Sequence, residues 1–265
     1  MIDRAKKQPF VSIYTISYNQ CDILRLTLLS LFNQHYSLDN YELIVLNDGS
    51  NDGTAEMLDH IAQIAPVPLT ICSIPREDAY MSARRWNQCI ALSSSQTEIY
   101  IQIDDVLVAP DLIQQHVKWH IDNVPTIVTG AKFEGDEELW ELASCRRSQL
   151  AGTGGEARET IFTAAWGASL SFTKEMMLQL YAPPHDIPFD QRMHGWGYHE
   201  IEFALRMVNA GARVIYDPAA GVFHKNHEPI EQSRNFNRRQ IVVEGETRNK
   251  LYLLNKHGLT SLPRW

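Results

Sequence analysis

The chain predicts an α/β fold: a Rossmann-like, mostly parallel central sheet flanked by helices. Three observations carry that expectation. Short apolar, β-branched runs alternate with amphipathic helical stretches across the first hundred residues, and strands separated by helices pair in parallel. Three of these runs end in polar clusters, "SYN", "NDGSNDG" and "DD", and ligands of such sheets collect beyond the carboxyl ends of the strands. The composition, 44% hydrophobic and 21% charged over 265 residues, is that of a folded globular chain with volume for a sizeable core.

Taken in order, "FVSIYTI" reads as a buried strand feeding the polar loop "SYNQ". "DILRLTLLSLFNQ" places Leu24, Leu28 and Leu31 on one helical face, with Asp22 near the N-terminus. "YELIVLNDGS" is a second strand ending in a turn, and "AEMLDHIAQI" a second helix with Met57, Ile61 and Ile64 in register. "PLTICSI", residues 81–93 and "EIYIQIDD" continue as strand, helix and strand.

The second half is less regular. Residues 132–160 are polar and read as an excursion. "WGASLSF" reads as a strand, "TKEMMLQLY" as a helix, and "APPHDIPFD" as a loop. "HGWGYHEIEFALR" leads into a helix running to about Ala210, followed by the strand "ARVIYD". From about Glu228 the chain reads as helical and hydrophilic. Without internal repeats or a cleaving linker, residues 1–228 form one domain, divided near residue 110 into two halves, with 229–265 as a helical extension.

A net charge of −8 argues against a protein that coats nucleic acid phosphates. Cys21, Cys72, Cys89 and Cys145 lie far apart with no C-x-x-C pair, which fits a reducing compartment. "MIDRAKKQPF" has no apolar leader core and no later run reaches membrane-spanning length. The expectation is a cytoplasmic protein, at most attached peripherally to the inner face of the membrane. Oligomeric state is not readable.

The polar clusters admit two readings each. In "NDGSNDGT", Ser50 and Asp52 can cap the following helix and Gly49 permits a tight turn. Asp48, at a strand's carboxyl end, also points towards the crevice, where it can accept hydrogen bonds from a base or ribose. Asp104 and Asp105 are adjacent carboxylates that repel unless a cation or donors share them. They are either an Asp-rich turn, with Asp111 capping the next helix, or the seat of a hard divalent ion that also takes oxygens of a diphosphate. In "GVFHKNH", His224 is a structural histidine or a neutral imidazole ligand, and it is better placed than His227 to point inward.

"VSIYTISYNQ", "ELIVLNDGSNDGT" and "IQIDDVLVAPD", in this order, resemble family 2 glycosyltransferases of the GT-A fold. "WGASLSF" and "PFDQRMHGWGYHEIEFALRMVNAGARVIYDPAAGVFHKNH" resemble the C-terminal half of galactosyltransferase-like and N-acetylgalactosaminyltransferase-like members. The resemblance implies a nucleotide-sugar-binding half (1–110) and an acceptor-binding half (111–228). It places Ile16, Ser17, Tyr18, Asp48 and Arg85, with Asp104, at a UDP-sugar donor. Asp104, Asp105 and His224 would hold Mn2+ or Mg2+.

It also gives Glu200 the role of general base, and assigns Trp196, Gly197, His199 and Glu202 to a saccharide or glycolipid acceptor. Trp196 would be a platform for a sugar ring, with Gly195 and Gly197 letting the loop approach it; alternatively it is a buried anchor, with Glu200 and Glu202 favouring a helix N-terminus. Three positions depart from the family pattern. A strict D-x-D is replaced by Asp104-Asp105-Val106, His199 stands where glutamate is usual, and the arginine-asparagine pair appears as "RRWN", offering Arg84 or Arg85.

The implied reaction is inverting transfer of a Gal or GalNAc/GlcNAc-type sugar to an acceptor hydroxyl in polysaccharide or glycoconjugate biosynthesis. Two rivals remain: a nucleotidyltransferase, for which "SYNQ" lacks a Gly-rich, Lys-containing triphosphate loop, and a non-catalytic nucleotide-sugar or glycan-binding scaffold, which His199 would favour.

Overall fold

The computed structural model describes residues 8–77, 81–122, 124–135, 155–179, 188–225 and 236–264. Cys145, His227, most of the polar segment 132–160 and the start of "APPHDIPFD" lie outside them. The described strands are β1 (Val11–Ser17), β2 (Tyr41–Asn47), β3 (Leu69–Ser73), β4 (Ile99–Ile103), β5 (Val106–Val108), β6 (Thr126–Gly135), β7 (Arg158–Thr160), β8 (Ser169–Thr173) and β9 (Arg213–Lys225). The helices are α1 (Cys21–Phe32), α2 (Thr54–Ile64), α3 (Ser82–Ala91), α4 (Leu112–Val117), α5 (Lys174–Gln179), α6 (His199–Asn209) and α7 (Phe236–His257). None of the described helices is long and apolar enough to cross a membrane.

All nine strands form one sheet in the order β3-β2-β1-β4-β8-β6-β9-β5, with β7 pairing β9. β1, β2, β3 and β4 pair in parallel, β8 runs against β4 and β6, and β6 and β9 are again parallel. The alternation of strand and helix thus yields the mostly parallel sheet the sequence predicts. The apolar runs of β1, β2 and β4 are buried on both faces, as strands covered on both sides must be.

Two core clusters result, one on each face. Leu24, Leu28 and Leu31 of α1 and Met57, Leu58 and Ile61 of α2 join Val11, Ile13 and Val45 in the first. Trp86 and Ile90 of α3 join Tyr14, Phe172, Phe189 and Phe203 in the second. Ile64, expected on the buried face of α2, is 63% exposed, because it lies in the helix's last turn beyond the sheet.

Part of the polar segment 132–160 is strand. Lys132–Gly135 extends β6 along β9, and Arg158–Thr160 pairs with β9 as β7. Backbone pairing to an existing strand, rather than an apolar face, makes these elements, so polar sequence does not preclude them. "ARVIYD" and "GVFHK" likewise merge into the single strand β9.

Candidate active site

Register brings the polar clusters together. Ser17 pairs with Asn47 across β1 and β2, and Tyr14 with Gln102 across β1 and β4. β1 and β4 run in parallel, so Ser17 at the end of β1 and the Asp104–Asp105 pair just beyond Ile103 lie at the same end of the sheet. Ser17, Asp48 and the Asp104–Asp105 pair therefore leave the sheet along one edge. The loops above are stitched to each other: Asn19 N–H donates to Ser50 Oγ, Asn51 N–H to Asn19 Oδ1, and Cys21 N–H to Asp52 Oδ2, at 2.8–3.0 Å.

Asp48 is 4% exposed and its carboxylate accepts from Arg85 Nε at 2.8 Å and from the guanidinium of Arg76. Gly49 allows this approach. Its φ is +73°, and a β-carbon there would run into the backbone and Cβ of Arg76. The Arg76 guanidinium carbon lies 3.9 Å from the centroid of the Tyr18 ring, which is 41% exposed. Tyr18, Arg76 and Asp48 thus combine an aromatic face, charged donors and a carboxylate acceptor. That set suits a planar heterocycle that both donates and accepts hydrogen bonds. Ser17 Oγ is buried without a hydrogen-bond partner among the described residues.

Arg85 and Ile16 were also expected at the donor. Arg85 is 3% exposed and also donates to Glu77 at 3.0 Å and Gln88 at 3.3 Å. It props Asp48 from within the fold instead of facing the crevice. Ile16 packs against the second core cluster. Arg76, directly beyond β3, was not singled out in the sequence. Its position at the end of a parallel strand beside "NDGS" is the signal that could have found it.

Asp104 and Asp105 follow β4 directly. Gln20 Nε2 donates to Asp105 Oδ2 at 2.7 Å. Antiparallel pairing of Val106 with His224 across β5 and β9 sets His224 Nε2 3.8 Å from Asp105 Oδ1. Burial, reinforced by the charge of Asp105, pushes the Asp104 carboxyl up to about 7, with Lys132 opposing.

Among the described residues no group of three or more His, Cys, Asp or Glu side chains is arranged to hold a metal ion. The residue types nonetheless suit a hard cation: His224 lies 3.8 Å from Asp105, whose charge disfavours ionisation of Asp104, and such a cation takes its remaining oxygens from a bound diphosphate.

Glu200 lies in the first turn of α6. Gln102 Nε2 donates to its Oε1 at 3.2 Å, and the Tyr14 hydroxyl donates to Gln102 Oε1 at 3.1 Å. The carboxylate rests against Gly167, where any β-carbon would stand 3.0 Å from Glu200 Cδ and overlap Oε1. Burial, then the charge of Asp104, pushes Glu200 up to about 7 against hydrogen bonds from its own backbone and from Gln102. The carboxylate on α6 and the acids beyond β4 thus share one electrostatic environment. Trp166, beside Gly167, is 53% exposed. Gln102, Tyr14 and Gly167 were not found in the sequence, since each reads as an ordinary strand or turn residue.

His199 and Glu202, expected at an acceptor, are interior. His199 is 2% exposed and meets the Trp86 ring edge-on at 5.6 Å. Burial lowers its pKa to about 4, against a backbone hydrogen bond at Met193, so it is neutral. Glu202 is fully buried and accepts from Arg206 Nε at 3.0 Å, Lys256 Nζ at 2.6 Å and His257 Nε2 at 3.1 Å. Successive helical residues are rotated by about 100°, so Glu200 can face the crevice only if its neighbours turn inward.

Trp196 remains 39% exposed, but the glycines around it serve α7. A β-carbon at Gly195 would stand 2.5 Å from Arg248 Nη2 and 3.2 Å from Gly245 Cα, and one at Gly197 3.0 Å from Glu246 Cγ. Asn249 Nδ2 donates to the Gly197 carbonyl at 3.0 Å. Gly245, Asn249 and Leu253 form the buried stripe of α7, and Lys256 and Tyr252 bind Asp190 at 2.7 and 2.8 Å. The C-terminal helix is therefore docked beneath the Trp196 loop.

Comparison with known proteins bears on the fold and the family. A curated relative, the uncharacterized glycosyltransferase YfnE of Bacillus subtilis (strain 168), is 35% identical over 120 residues, 45% of this chain; the match spans 29% of that relative's length. Among solved structures, the mannosyltransferase PcManGT from Pyrobaculum calidifontis, in complex with GDP-Man and Mn2+, superposes with a TM-score of 0.68 at 19% identity, covering 97% of this chain and 67% of that one. S. aureus TarS 1-349 in complex with UDP superposes at 0.61 and 11% identity, covering 93% and 70%. These likenesses show the GT-A fold. Residues 12–189, more than half of the sequence, match the model described as "Glycosyl transferase family 2", and the chain belongs to that family.

Proposed function

We propose that the chain is an inverting, metal-dependent glycosyltransferase. It moves a hexose of galactose or N-acetylhexosamine type from a UDP-sugar to a hydroxyl of a saccharide or glycolipid acceptor, as a step in polysaccharide or glycoconjugate assembly. The observation that carries this reading is the placement of Glu200. Its carboxylate is seated on Gly167, held by Gln102, and raised to about 7 by burial and by Asp104. A base tuned near neutrality beside the acidic end of β4 suits deprotonation of an acceptor hydroxyl. The ligands in the solved relatives, GDP-Man, UDP and UDP-GlcNAc, support a nucleotide-sugar donor.

In this reading Tyr18 stacks on the base while Asp48 and Arg76 bond its edge, and Ser17 Oγ meets the nucleotide. Asp104, Asp105 and His224 would hold Mn2+ or Mg2+, which would offset negative charge on the departing diphosphate. Trp196 lines the acceptor side. The acceptor oxygen attacks the anomeric carbon from the face opposite the diphosphate and its proton passes to Glu200. The bond from the anomeric carbon to phosphate oxygen breaks, so the configuration inverts. The base supplies about 100- to 10,000-fold of the rate.

The scaffold alternative drew on His199, and burial of that ring away from the crevice weakens it. Calorimetric titration with UDP and GDP, with and without Mn2+, combined with transfer assays on UDP-sugars, tests the proposal. Metal-dependent UDP binding lost in Asp104→Asn/Asp105→Asn, with transfer lost but UDP binding kept in Glu200→Gln, is the expected outcome. Undiminished transfer by Glu200→Gln would refute the assignment of the base, and preference for GDP would refute the donor.

A further inference from the structure

Gln102 is a fully buried polar side chain one residue from the carboxyl end of β4, between β1 and β8. A buried amide needs partners at both ends. Here they form a directed chain: Tyr14, also fully buried and opposite Gln102 in register, donates its hydroxyl proton to Oε1 at 3.1 Å, and Nε2 donates to Glu200 at 3.2 Å. The direction is set at the carboxylate. An ionised carboxylate only accepts, so the amide nitrogen must face Glu200, its oxygen must face Tyr14, and the Tyr14 hydroxyl must donate. Reversing the chain would require a protonated Glu200.

Gly167 lies against the same oxygen and against the Gln102 amide nitrogen. The carboxylate is thus bounded by a backbone that excludes any side chain and by an amide whose own orientation is fixed from the next strand. We propose that Gln102 and Tyr14 are positioning residues that aim Glu200 at the acceptor hydroxyl and hold it in its base-competent form; this rests on the assignment of Glu200 as the base. Neither residue touches substrate. A purely structural core would be served by leucine and phenylalanine at these positions, since both lie among apolar strands.

The test compares Gln102→Leu and Tyr14→Phe with the wild type and with Glu200→Gln, measuring kcat, donor KM and UDP affinity. Gln102→Leu lowers kcat by about 10- to 100-fold, the cost of a misplaced reacting group. Tyr14→Phe lowers it by about 3- to 10-fold, as loss of one neutral hydrogen bond does. Donor KM and UDP affinity stay within about twofold in both, because neither residue reaches the donor. In the Glu200→Gln background the same substitutions produce no further loss, since they act through a group already removed.

Tyr14→Phe keeps the buried ring and carries the same expectation should Gln102→Leu fail to fold. Wild-type kcat in both single variants, with Glu200→Gln impaired, overturns the positioning role and leaves the base intact. Equal losses with and without Glu200 also overturn it, as damage to the fold. Full activity of Glu200→Gln removes the base itself, and the positioning role with it.

Discussion

Replacing Gly167 with alanine separates folding from chemistry. A β-carbon at 167 would stand 3.0 Å from Glu200 Cδ and nearer still to Glu200 Oε1 and Gln102 Nε2. Non-bonded heavy atoms settle about 3.5–4.0 Å apart, and the oxygen and the amide nitrogen fall well inside that, so the carboxylate and the amide must each retreat by about 1 Å or more. Both displaced groups are ends of side chains, and the retreat costs folding about 1–3 kcal/mol as overpacking. Chemistry is less tolerant. A misplacement of about 1 Å costs about 100-fold in rate, equivalent to about 2.7 kcal/mol in the barrier. Gly167→Ala is expected to lose about 30- to 100-fold in kcat while keeping UDP affinity and most of its thermal stability, read by initial-rate transfer assays beside calorimetry and thermal melts. Wild-type turnover in a folded Gly167→Ala protein would show that the seat of Glu200 is irrelevant to the reaction.

Two further outcomes follow. Because burial and Asp104 raise Glu200 to about 7, the carboxyl is protonated at lower pH and works as a base only when ionised, so kcat climbs through about pH 7 and levels above it; a profile flat from about pH 6 to 8 would contradict this. Glu202→Gln leaves Arg206, Lys256 and His257 facing a neutral buried amide, and should cost about 3–5 kcal/mol in urea unfolding. Burial raises the Glu202 pKa, but the hydrogen bond from His257 and the charges of Arg206 and Lys256 outweigh it and hold the group down to about 2. The stability it contributes is present above the unfolded value of about 4.3 and is lost as pH falls towards the folded one. The variant should lack that acid-side loss.

Much of the first hundred residues was legible because one period governs them. Apolar runs and amphipathic helices alternate from Val11 to Ile103, and parallel register then delivers Asp48 and Asp105 to one edge. What was not legible depends on partners distant in the chain. Gly195 and Gly197 look like a loop made to approach a ligand, yet the close neighbour is α7, about fifty residues later. Glu202 and Glu200 are both acids of one helical turn, and only the position of Lys256 and His257 tells which of them is sequestered. Gln102 sits in "IYIQIDD" as a single polar letter in an apolar strand. That letter was the available signal: an amide placed at the centre of a sheet requires a partner, and asking which one leads to Glu200.

The fold treats its buried carboxylates in two ways, and the contrast bears on function. Asp190 is buried, which raises its pKa, but Arg192, Lys256 and Tyr252 outweigh burial and hold it far below the usual carboxylate range. Glu202 is given three basic partners. Asp104, by contrast, faces Asp105, and Glu200 faces Asp104 with a neutral amide as its donor. A fold that needed these acids only for stability has the means to neutralise them, since it does so for Asp190 and Glu202. Leaving Asp104 with only the charge of Lys132 in opposition, and Glu200 with only neutral donors, destabilises the folded state at neutral pH, because each must release its proton against burial and a neighbouring charge. Carboxylates kept in that condition, one beyond β4 and one on α6, mark the place where the chain departs from the best arrangement for folding, and such departures concentrate where chemistry is done.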